Sequence, residues 1–216
     1  MPVKAAKPRR QKLPEDVRRQ AILEAAHHLF SIRGYERTRM DDVAARAGLT
    51  KGGLYFHFKD KRSLMKEVVR TQLRSLQQRL EEVEDLDLPA PEKYLAFCEA
   101  FDREMVPYFQ EGEGEPGQGA LELFLESHRL QVLQREIQAT QRRGRAVAED
   151  IVAQGIAAGL FRPVDPAVAA VGLVSLLYGI FLNAALTPRE VDVNQINRQT
   201  AEIYLAGLLV SEPRGA

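Results

Sequence analysis

Apolar residues recur along most of the chain three and four positions apart, which is the spacing of one face of an α-helix. Prolines, glycines and short polar runs divide this pattern into about nine segments. No stretch alternates apolar and polar residues over the length of a strand, so we expect no β-sheet. The pattern predicts an all-α fold of about nine helices.

Capping residues, prolines and glycines mark where each helix is expected to begin and end. The expected helices cover approximately 14–33, 38–47, 50–57, 60–84, 91–106, a stretch from 120 onward, 134–158, 167–188 and 193–210. The acidic, glycine-rich residues 111–119 separate two of these helices. We interpret them as a plain surface connection, with a mobile gate over a pocket as the alternative.

Residues 38–62, TRMDDVAARAGLTKGGLYFHFKDKR, contain two short helical stretches that meet at Gly48. The first has an apolar face, and the second carries hydroxyl, cationic and aromatic side chains and two glycines. This arrangement is typical of a helix-turn-helix that places its second helix in the major groove of DNA. Leu54 and Phe58 are expected to point the other way, into a small core.

Gly52 and Gly53 are unexpected near the start of a helix, because each costs about 1 kcal/mol relative to alanine. Close approach of main-chain N–H groups to phosphate oxygens offsets this cost in a helix that meets DNA. Lys61, at the start of the fourth helix, opposes the helix dipole and also indicates a phosphate partner. Solvated surface is the alternative for Lys61 and Arg39, and partial core packing is the alternative for Tyr55.

Charge is distributed unevenly, although the whole chain has a formal net charge of zero. Residues 1–70 hold 17 Lys and Arg against 8 Asp and Glu, a net charge of +9. Residues 71–216 hold 13 against 22, a net charge of −9, so one end is suited to a polyanion. Residues 1–14 are expected to be a disordered basic arm, which either lies along DNA or serves only as a solubilising tail.

Residues 30–64 contain the pattern Phe30…Gly34-Tyr35…Thr38…Asp42-Val43-Ala44…Ala47-Gly48-Leu49-Thr50…Gly53-Leu54-Tyr55-Phe56-His57-Phe58…Lys61…Leu64. This pattern resembles the N-terminal domain of the TetR family of bacterial transcriptional regulators, over about residues 15–70. The resemblance implies a homodimer on a palindromic operator, usually as a repressor, with dimer contacts through helices 8 and 9. It also implies a ligand cavity among helices 4 to 8. The DNA contacts of the family map onto Thr38, Arg39, Thr50, Lys51, Gly53, Tyr55, His57 and Lys61.

The expected organisation is a basic arm at 1–14, a helix-turn-helix DNA-binding domain at 15–70 and a helical effector-binding and dimerisation domain at 71–216. The last domain has more aromatic surface than packing alone needs, which predicts an apolar effector cavity. A fully packed core is the alternative. The candidate ligand-binding residues are Phe97, Phe101, Met105, Phe109, Phe124, His128, Tyr178 and Phe181.

Residues 167–188 contain no charged side chain and are long enough to cross a membrane. Their many alanines and glycines also suit close contact between helices, so a buried helix in a bundle or dimer interface is the favoured interpretation. The single cysteine, Cys98, lies in an apolar helical pattern and is expected in the core. No secretory signal is visible, so a cytoplasmic location is expected.

Signals for other chemistry are weak. The four histidines show no metal-ligand spacing, and no nucleophile or phosphate-binding motif is present, so no metal, cofactor or catalytic residue is expected. His128 is either the partner of a ligand carboxylate or thioester oxygen or a satisfied core histidine. The basic run at 142–145 is either a solvated face or a site for a phosphate-bearing ligand such as a coenzyme A adduct.

Together these features predict a cytoplasmic, dimeric, ligand-responsive transcriptional repressor that is not an enzyme. Its partners are a double-stranded DNA operator and a small, largely apolar effector, such as an acyl-coenzyme A or another hydrophobic compound. The first alternative is an architectural DNA-binding protein without an effector. The second is an all-α enzyme that processes a ligand.

Overall fold

The computed structural model describes residues 14–105, 117–187 and 192–210. Within these ranges the chain forms α-helices and no β-strand, as the hydrophobic spacing predicts. The helices are α1 Glu15–Arg33, α2 Met40–Arg46, α3 Lys51–His57, α4 Lys61–Glu84, α5 Ala90–Met105, α6 Gln118–Arg129, α7 Gln131–Ala157, α8 Pro166–Leu186 and α9 Val193–Leu208. The predicted basic arm, apart from its last residue, and most of the predicted loop at 111–119 lie outside the described residues.

Local capping explains where the first helices begin and end. α1 stops at Gly34, whose φ of 85° lies in the left-handed region that favours glycine. The hydroxyl oxygen of Thr50 accepts a hydrogen bond from the N–H of Gly53 at 3.1 Å, which caps α3. The Asp60 carboxylate caps α4 in the same way, by accepting from the N–H of Ser63 at 2.6 Å. These caps confirm the predicted limits of α1, α3 and the start of α4.

α2 begins later than the sequence predicts, because Arg39 rather than Thr38 is its capping residue. The N–H of Arg39 donates to the Asp42 carboxylate at 3.1 Å. Thr38 is only 1% exposed, and its hydroxyl lies 2.8 Å from the carbonyl oxygen of Gly34. The Thr38 side chain therefore fastens the turn after α1. α7 also begins early, at Gln131, since a single residue joins it to α6.

One hydrophobic core joins the helix-turn-helix to later parts of the chain. Its buried residues come from α1 to α4 and also from α6 and α7, which contribute Leu123, Leu133 and Ile137. Leu54 is fully buried in this core and Phe58 is 5% exposed, so the predicted inward direction of both is confirmed. The core crosses the domain boundary that the sequence suggests near residue 70, and the boundary itself stays a prediction.

The start of α6 packs directly against the end of α1. A Cβ atom placed on Gly119 would lie 2.3 Å from the carbonyl oxygen of Ser31, so a larger residue does not fit there without a backbone shift. Nearby, a carboxylate oxygen of Glu122 accepts from the N–H of Glu36 at 2.7 Å. α6 is therefore attached to the turn that leads into the helix-turn-helix.

A second core lies among α4, α5, α7, α8 and α9. α8 is long and apolar enough to cross a membrane. In the structure it buries Leu173, Leu177 and Phe181 inside the helical bundle. Cys98 is 4% exposed in the second core, as predicted, and burial raises the pKa of its thiol to about 12.

Candidate nucleic-acid interface and effector cavity

The outward face of α3 is open to solvent. Lys51 and Gly52 are exposed, Tyr55 is 42% exposed and Phe56 is 73% exposed. The opposite face holds the fully buried Leu54. A short helix that is anchored on one side and presents cationic and aromatic groups on the other has the form of a helix that reads the major groove.

The fold does not require either glycine of α3. Neither has a positive φ. A Cβ atom on Gly52 would meet nothing within 4 Å, and one on Gly53 would lie 3.4 Å from the Thr50 hydroxyl oxygen. Since packing within the described chain leaves room at Gly52, the close approach of another molecule to the backbone is the remaining physical reason for a glycine there.

Lys51 forms an exposed ion pair with Asp41 of α2, with 3.0 Å between Nζ and the carboxylate oxygen. The hydrogen bond to Asp41 raises the pKa of Lys51, so the ammonium group is charged at neutral pH. Such exposed pairs contribute little to stability. The ammonium group can therefore exchange this carboxylate for a phosphate at small cost.

Two predicted DNA contacts have their polar groups turned into the protein. The Thr38 hydroxyl is buried, as described above. The Lys61 ammonium group lies within 3.2 Å of three carbonyl oxygens, those of Tyr35, Glu36 and Thr38, which matches its three N–H donors. These contacts give both side chains a role inside the protein, and their contact with DNA stays a prediction. Lys61 fastens the turn after α1, and this internal role accounts for a cation at the start of α4.

The remaining predicted contacts surround the outward face of α3. Arg39 is exposed at the start of α2, and His57 is half-buried with its ring 5.2 Å from that of Phe56. Phe56 was absent from the sequence-based set. Its direction follows from helical spacing, because Leu54 and Phe58 point inward on either side of it.

An apolar cavity that is open to solvent lies among α4, α5, α6, α7 and α8. Five of the predicted ligand-binding residues line it, namely Phe101, Phe124, His128, Tyr178 and Phe181. An apolar cavity with a few polar groups is the usual form of a small-molecule site. The structure thus contains a cavity where the sequence suggested either a cavity or a packed core.

Phe97 differs from the other predicted ligand-binding residues. It is 2% exposed in the second core and does not line the cavity. It lines a smaller recess beside the cavity, which it shares with Phe101 and Tyr178. The side chain of Met105 and the whole of Phe109 lie outside the described part of the chain.

Aromatic rings form much of the cavity wall. The ring of Phe101 meets that of Tyr178 edge-on at 5.2 Å, and the rings of Phe124 and Phe181 are 6.1 Å apart. The His128 ring lies 4.1 Å from that of Phe124. Burial raises the pKa of Tyr178, so its hydroxyl group is neutral near pH 7.

Charged groups in the cavity are few and paired. The carboxylate of Glu104, which sequence reasoning missed, accepts from the Ser75 hydroxyl at 2.7 Å and from the Arg79 guanidinium at 2.8 Å. In the described chain, no lysine or arginine belongs to the lining. Of the basic run at 142–145, Arg145 acts electrostatically on Tyr178, but no side chain of the run lines the cavity.

The protein has an exposed recognition helix on a helix-turn-helix, and a shared core joins this unit to a helical bundle with an internal cavity. These features define the class of DNA-binding transcriptional regulators with a small-molecule site. Sequence comparison agrees, since residues 22–68 match the bacterial regulatory proteins of the tetR family. Residues 117–210 match the C-terminal region of BetI-type transcriptional repressors.

Individual relatives identify the family. The chain is 30% identical over 154 residues to the HTH-type transcriptional repressor KstR2 of Mycolicibacterium smegmatis, which covers 68% of each chain. It is 28% identical over 168 residues to the HTH-type transcriptional regulator YhgD of Bacillus subtilis, which covers 77% of this chain and 83% of the other. A solved transcriptional regulator from Saccharomonospora viridis, in complex with choline, has the same fold, with a TM-score of 0.73, 20% identity and coverage of 90% and 98%. The chain belongs to the TetR family of bacterial transcriptional regulators.

Proposed function

We propose that this protein is a ligand-responsive transcriptional repressor, which binds a palindromic DNA operator as a dimer and is released by a small, largely apolar effector. The observation that carries the proposal is the outward face of α3, where an added Cβ atom on Gly52 would meet nothing within 4 Å and the rings of Tyr55 and Phe56 are exposed. Repression, rather than activation, is supported by the relative KstR2, which is a repressor.

The proposed DNA contacts come from the predicted set, with two changes. Thr38 and Lys61 support the turn before α2 rather than offering their side chains to DNA, and Phe56 joins the contact surface. The proposed direct contacts are Arg39, Thr50, Lys51, Gly53, Tyr55, Phe56 and His57.

A second copy of the chain is needed to read both halves of a palindrome, whose half-sites lie about 34–36 Å apart in such dimers. We propose that α8 and α9 form the dimer interface, as the family resemblance implies. Large apolar side chains on the outer faces of these helices support this interface. They are Val168, Val171, Leu176, Leu182, Leu186 and Ile203.

The dimer interface is tested by Leu176→Glu, because Leu176 is 40% exposed on α8 whereas the neighbouring Leu177 is 3% exposed in the core. Sedimentation should show monomers with an unchanged helical spectrum. The matched control is Val132→Glu, which introduces the same charge at a 48% exposed position on α7 and should remain dimeric. A stable dimer of the Leu176 variant would exclude this part of α8 from the interface.

We propose that α6 couples the effector cavity to the helix-turn-helix. It presents Phe124 and His128 to the cavity, while Glu122 of the same helix holds the N–H of Glu36 before α2. An effector that favours a different position of α6 would reorient the helix-turn-helix. Such an effector acts only through its differential affinity for the two arrangements.

The DNA function is tested by selecting bound sequences from a random pool of duplexes with the purified protein. A palindromic sequence should be enriched, and its affinity should fall steeply with added salt, because phosphate contacts release counterions. Binding to all duplexes alike, without release by any ligand, would favour the architectural alternative. The matching families and relatives are transcriptional regulators rather than enzymes. We expect the protein to act in the cytoplasm, where its operator is accessible.

A further inference from the structure

We propose that the effector is an uncharged molecule with an apolar, aromatic body and a hydroxyl group. The hydroxyl group donates a hydrogen bond to Nε2 of His128. This inference rests on the proposed function, because it assigns the chemical class of the effector of that same regulator. Phenols with an apolar substituent are the simplest compounds of this class.

The protonation pattern of His128 is determined by its own helix. Nδ1 lies 2.8 Å from the carbonyl oxygen of Phe124, one turn earlier in α6. A carbonyl oxygen only accepts hydrogen bonds, so Nδ1 carries the hydrogen atom. In the neutral ring, Nε2 is then an acceptor, and nothing in the described chain donates to it. An O–H or N–H group of a ligand in the cavity would supply the missing donor.

The surroundings of His128 determine the body of that ligand. The imidazole ring is held 4.1 Å from the Phe124 ring, at an angle of 45° between their planes. The rings of Phe101, Tyr178 and Phe181 complete this part of the wall. A flat apolar molecule gains contact with these rings in offset or edge-on arrangements.

Tyr178 explains why a hydroxyl group fits better than an amine. The Tyr178 hydroxyl belongs to the lining of the same cavity, and a phenol hydroxyl can donate one hydrogen bond. A ligand hydroxyl group offers both the donor that His128 needs and an acceptor for Tyr178.

The charged side chains around the cavity disfavour binding of an ionic ligand. Glu104 is neutralised by Arg79, and no cation in the described lining is available to balance a carboxylate or phosphate. Transfer of an unpaired anion into such an apolar site carries a large desolvation cost. This argues against fatty acids and coenzyme A thioesters, and it argues against a simple carboxylate partner for His128.

Three probes with one aromatic body test the proposal. They are para-phenylphenol, which has a donor, para-methoxybiphenyl, which has none, and a biphenyl carboxylate, which is charged. Calorimetric titration of the full-length protein near neutral pH should give an affinity for the phenol at least about tenfold above that for the other two, which corresponds to about 1.4 kcal/mol. Equal affinities, a preference for the carboxylate, or no binding of the phenol would overturn the proposal.

Variants of His128 distinguish the contribution of the hydrogen bond to ligand affinity from the contribution of the shape of the site. His128→Phe keeps a ring but removes the acceptor, so the preference for the phenol over the methoxy compound should disappear while the methoxy compound still binds. His128→Gln retains an acceptor and should restore part of the preference. His28→Phe makes the same exchange on α1, away from both proposed binding surfaces, and should leave all three affinities unchanged. A phenol preference that survives in His128→Phe would contradict the assigned role of this residue.

The outcome for the effector class is independent of the outcome for DNA binding. Operator binding by the effector-free protein tests the proposed function by itself. If the operator is bound but the three probes are not discriminated, the inference fails and the proposed regulator stands. If the phenol binds through His128 but no DNA sequence is selected, the regulatory function fails.

Discussion

The outward face of α3 comes from one run of seven residues, whereas the cavity is lined by side chains from five helices that are distant in the chain. The first surface exposes backbone, a cation and aromatic rings to a large charged partner. The second encloses aromatic rings and a histidine within the bundle. The surface proposed to contact DNA is therefore encoded locally, while the cavity depends on how the whole bundle packs.

The two sites also differ in what fixes them in place. α3 is anchored by Leu54 and by its Thr50 cap, both within the helix or directly before it. The His128 side of the cavity is carried by α6, which is attached to α1 through Gly119 and Glu122. Variants at these positions should separate the stability of the bundle from the quality of the DNA-binding surface.

The largest effect is expected for Gly119→Ala. The added methyl group would lie 2.3 Å from the backbone oxygen of Ser31, so α6 must shift away from α1. Overpacking of this kind costs up to about 3 kcal/mol, which urea unfolding would measure.

Gly52→Ala is the matched control, because its methyl group meets nothing within 4 Å. Its stability should rise by about 1 kcal/mol through helix propensity, while its operator affinity falls. A Gly119→Ala protein as stable as the parent would refute the close contact between α6 and α1.

The next largest effect concerns DNA affinity alone. Tyr55→Ala and Lys51→Ala should each weaken operator binding by about 1–3 kcal/mol, measured by fluorescence anisotropy. Binding of para-phenylphenol should be unaffected, since neither residue touches the cavity. Arg142→Ala, at an exposed position on α7, removes a charge elsewhere and should bind the operator normally. Undiminished affinity in both α3 variants would remove the recognition helix from the DNA interface.

A smaller effect is expected on the connection between the sites. Glu122→Ala removes the hydrogen bond to the N–H of Glu36 while leaving both binding surfaces intact. The change in operator affinity that an effector produces should shrink by about 0.5–2 kcal/mol, the scale on which single residues modulate coupling. Glu126→Ala removes another carboxylate of α6, one that pairs with Arg129, and should leave the coupling unchanged. Equal coupling in both variants would exclude Glu122 as the link.

The smallest expected effect is on the pH dependence of stability, to which His27 and Asp102 contribute in opposite directions. Burial, reinforced by His28, lowers the pKa of His27 to about 4 from 6.5, so the first core loses stability as pH falls from 6.5 towards 4. Burial, reinforced by Glu99, raises the pKa of Asp102 to about 6 from 3.8, although Asn197 opposes the shift. A raised carboxyl pKa favours the protonated folded form, so the second core gains stability over nearly the same range as pH falls.

Single variants should reveal the two opposing trends. Asp102→Asn should leave a net loss of stability between pH 6.5 and 4, and His27→Gln should leave a net gain. Each change should be of the order of 1 kcal/mol after allowance for solvent screening at partly exposed groups. Unfolding midpoints in urea across this pH range would measure both. Parallel pH curves for the two variants would contradict the assignment.

Features encoded locally could be predicted from the sequence, whereas features that depend on distant contacts could not. Most helix limits, the inward Leu54 and Phe58 and the outward face of α3 depend on neighbours within a few residues and were predictable, although the starts of α2 and α7 were not. The internal hydrogen bonds of Thr38 and Lys61 were not predicted. Those of Lys61 join it to carbonyl groups 23 to 26 positions earlier in the chain, which local sequence does not reveal.

Residues of the cavity were only partly predictable. Phe97 and Phe101 lie one turn apart on α5 and both belong to the second core, yet only Phe101 also lines the cavity. Spacing identifies the face but not the depth at which a gap opens between helices. The contacts of Gly119 and Glu122 with α1 have no local sequence signal at all.

The ion pair between Lys51 and Asp41 has a consequence for how the protein searches DNA. The carboxylate of Asp41 occupies the ammonium group in the way that a phosphate would, so the unbound regulator carries an internal competitor for any polyanion. Every duplex, cognate or not, must displace this competitor before Lys51 reaches a phosphate, so the cost is the same for both. The pair therefore lowers the affinity proposed for DNA in general, and it lowers it only slightly because the pair is exposed.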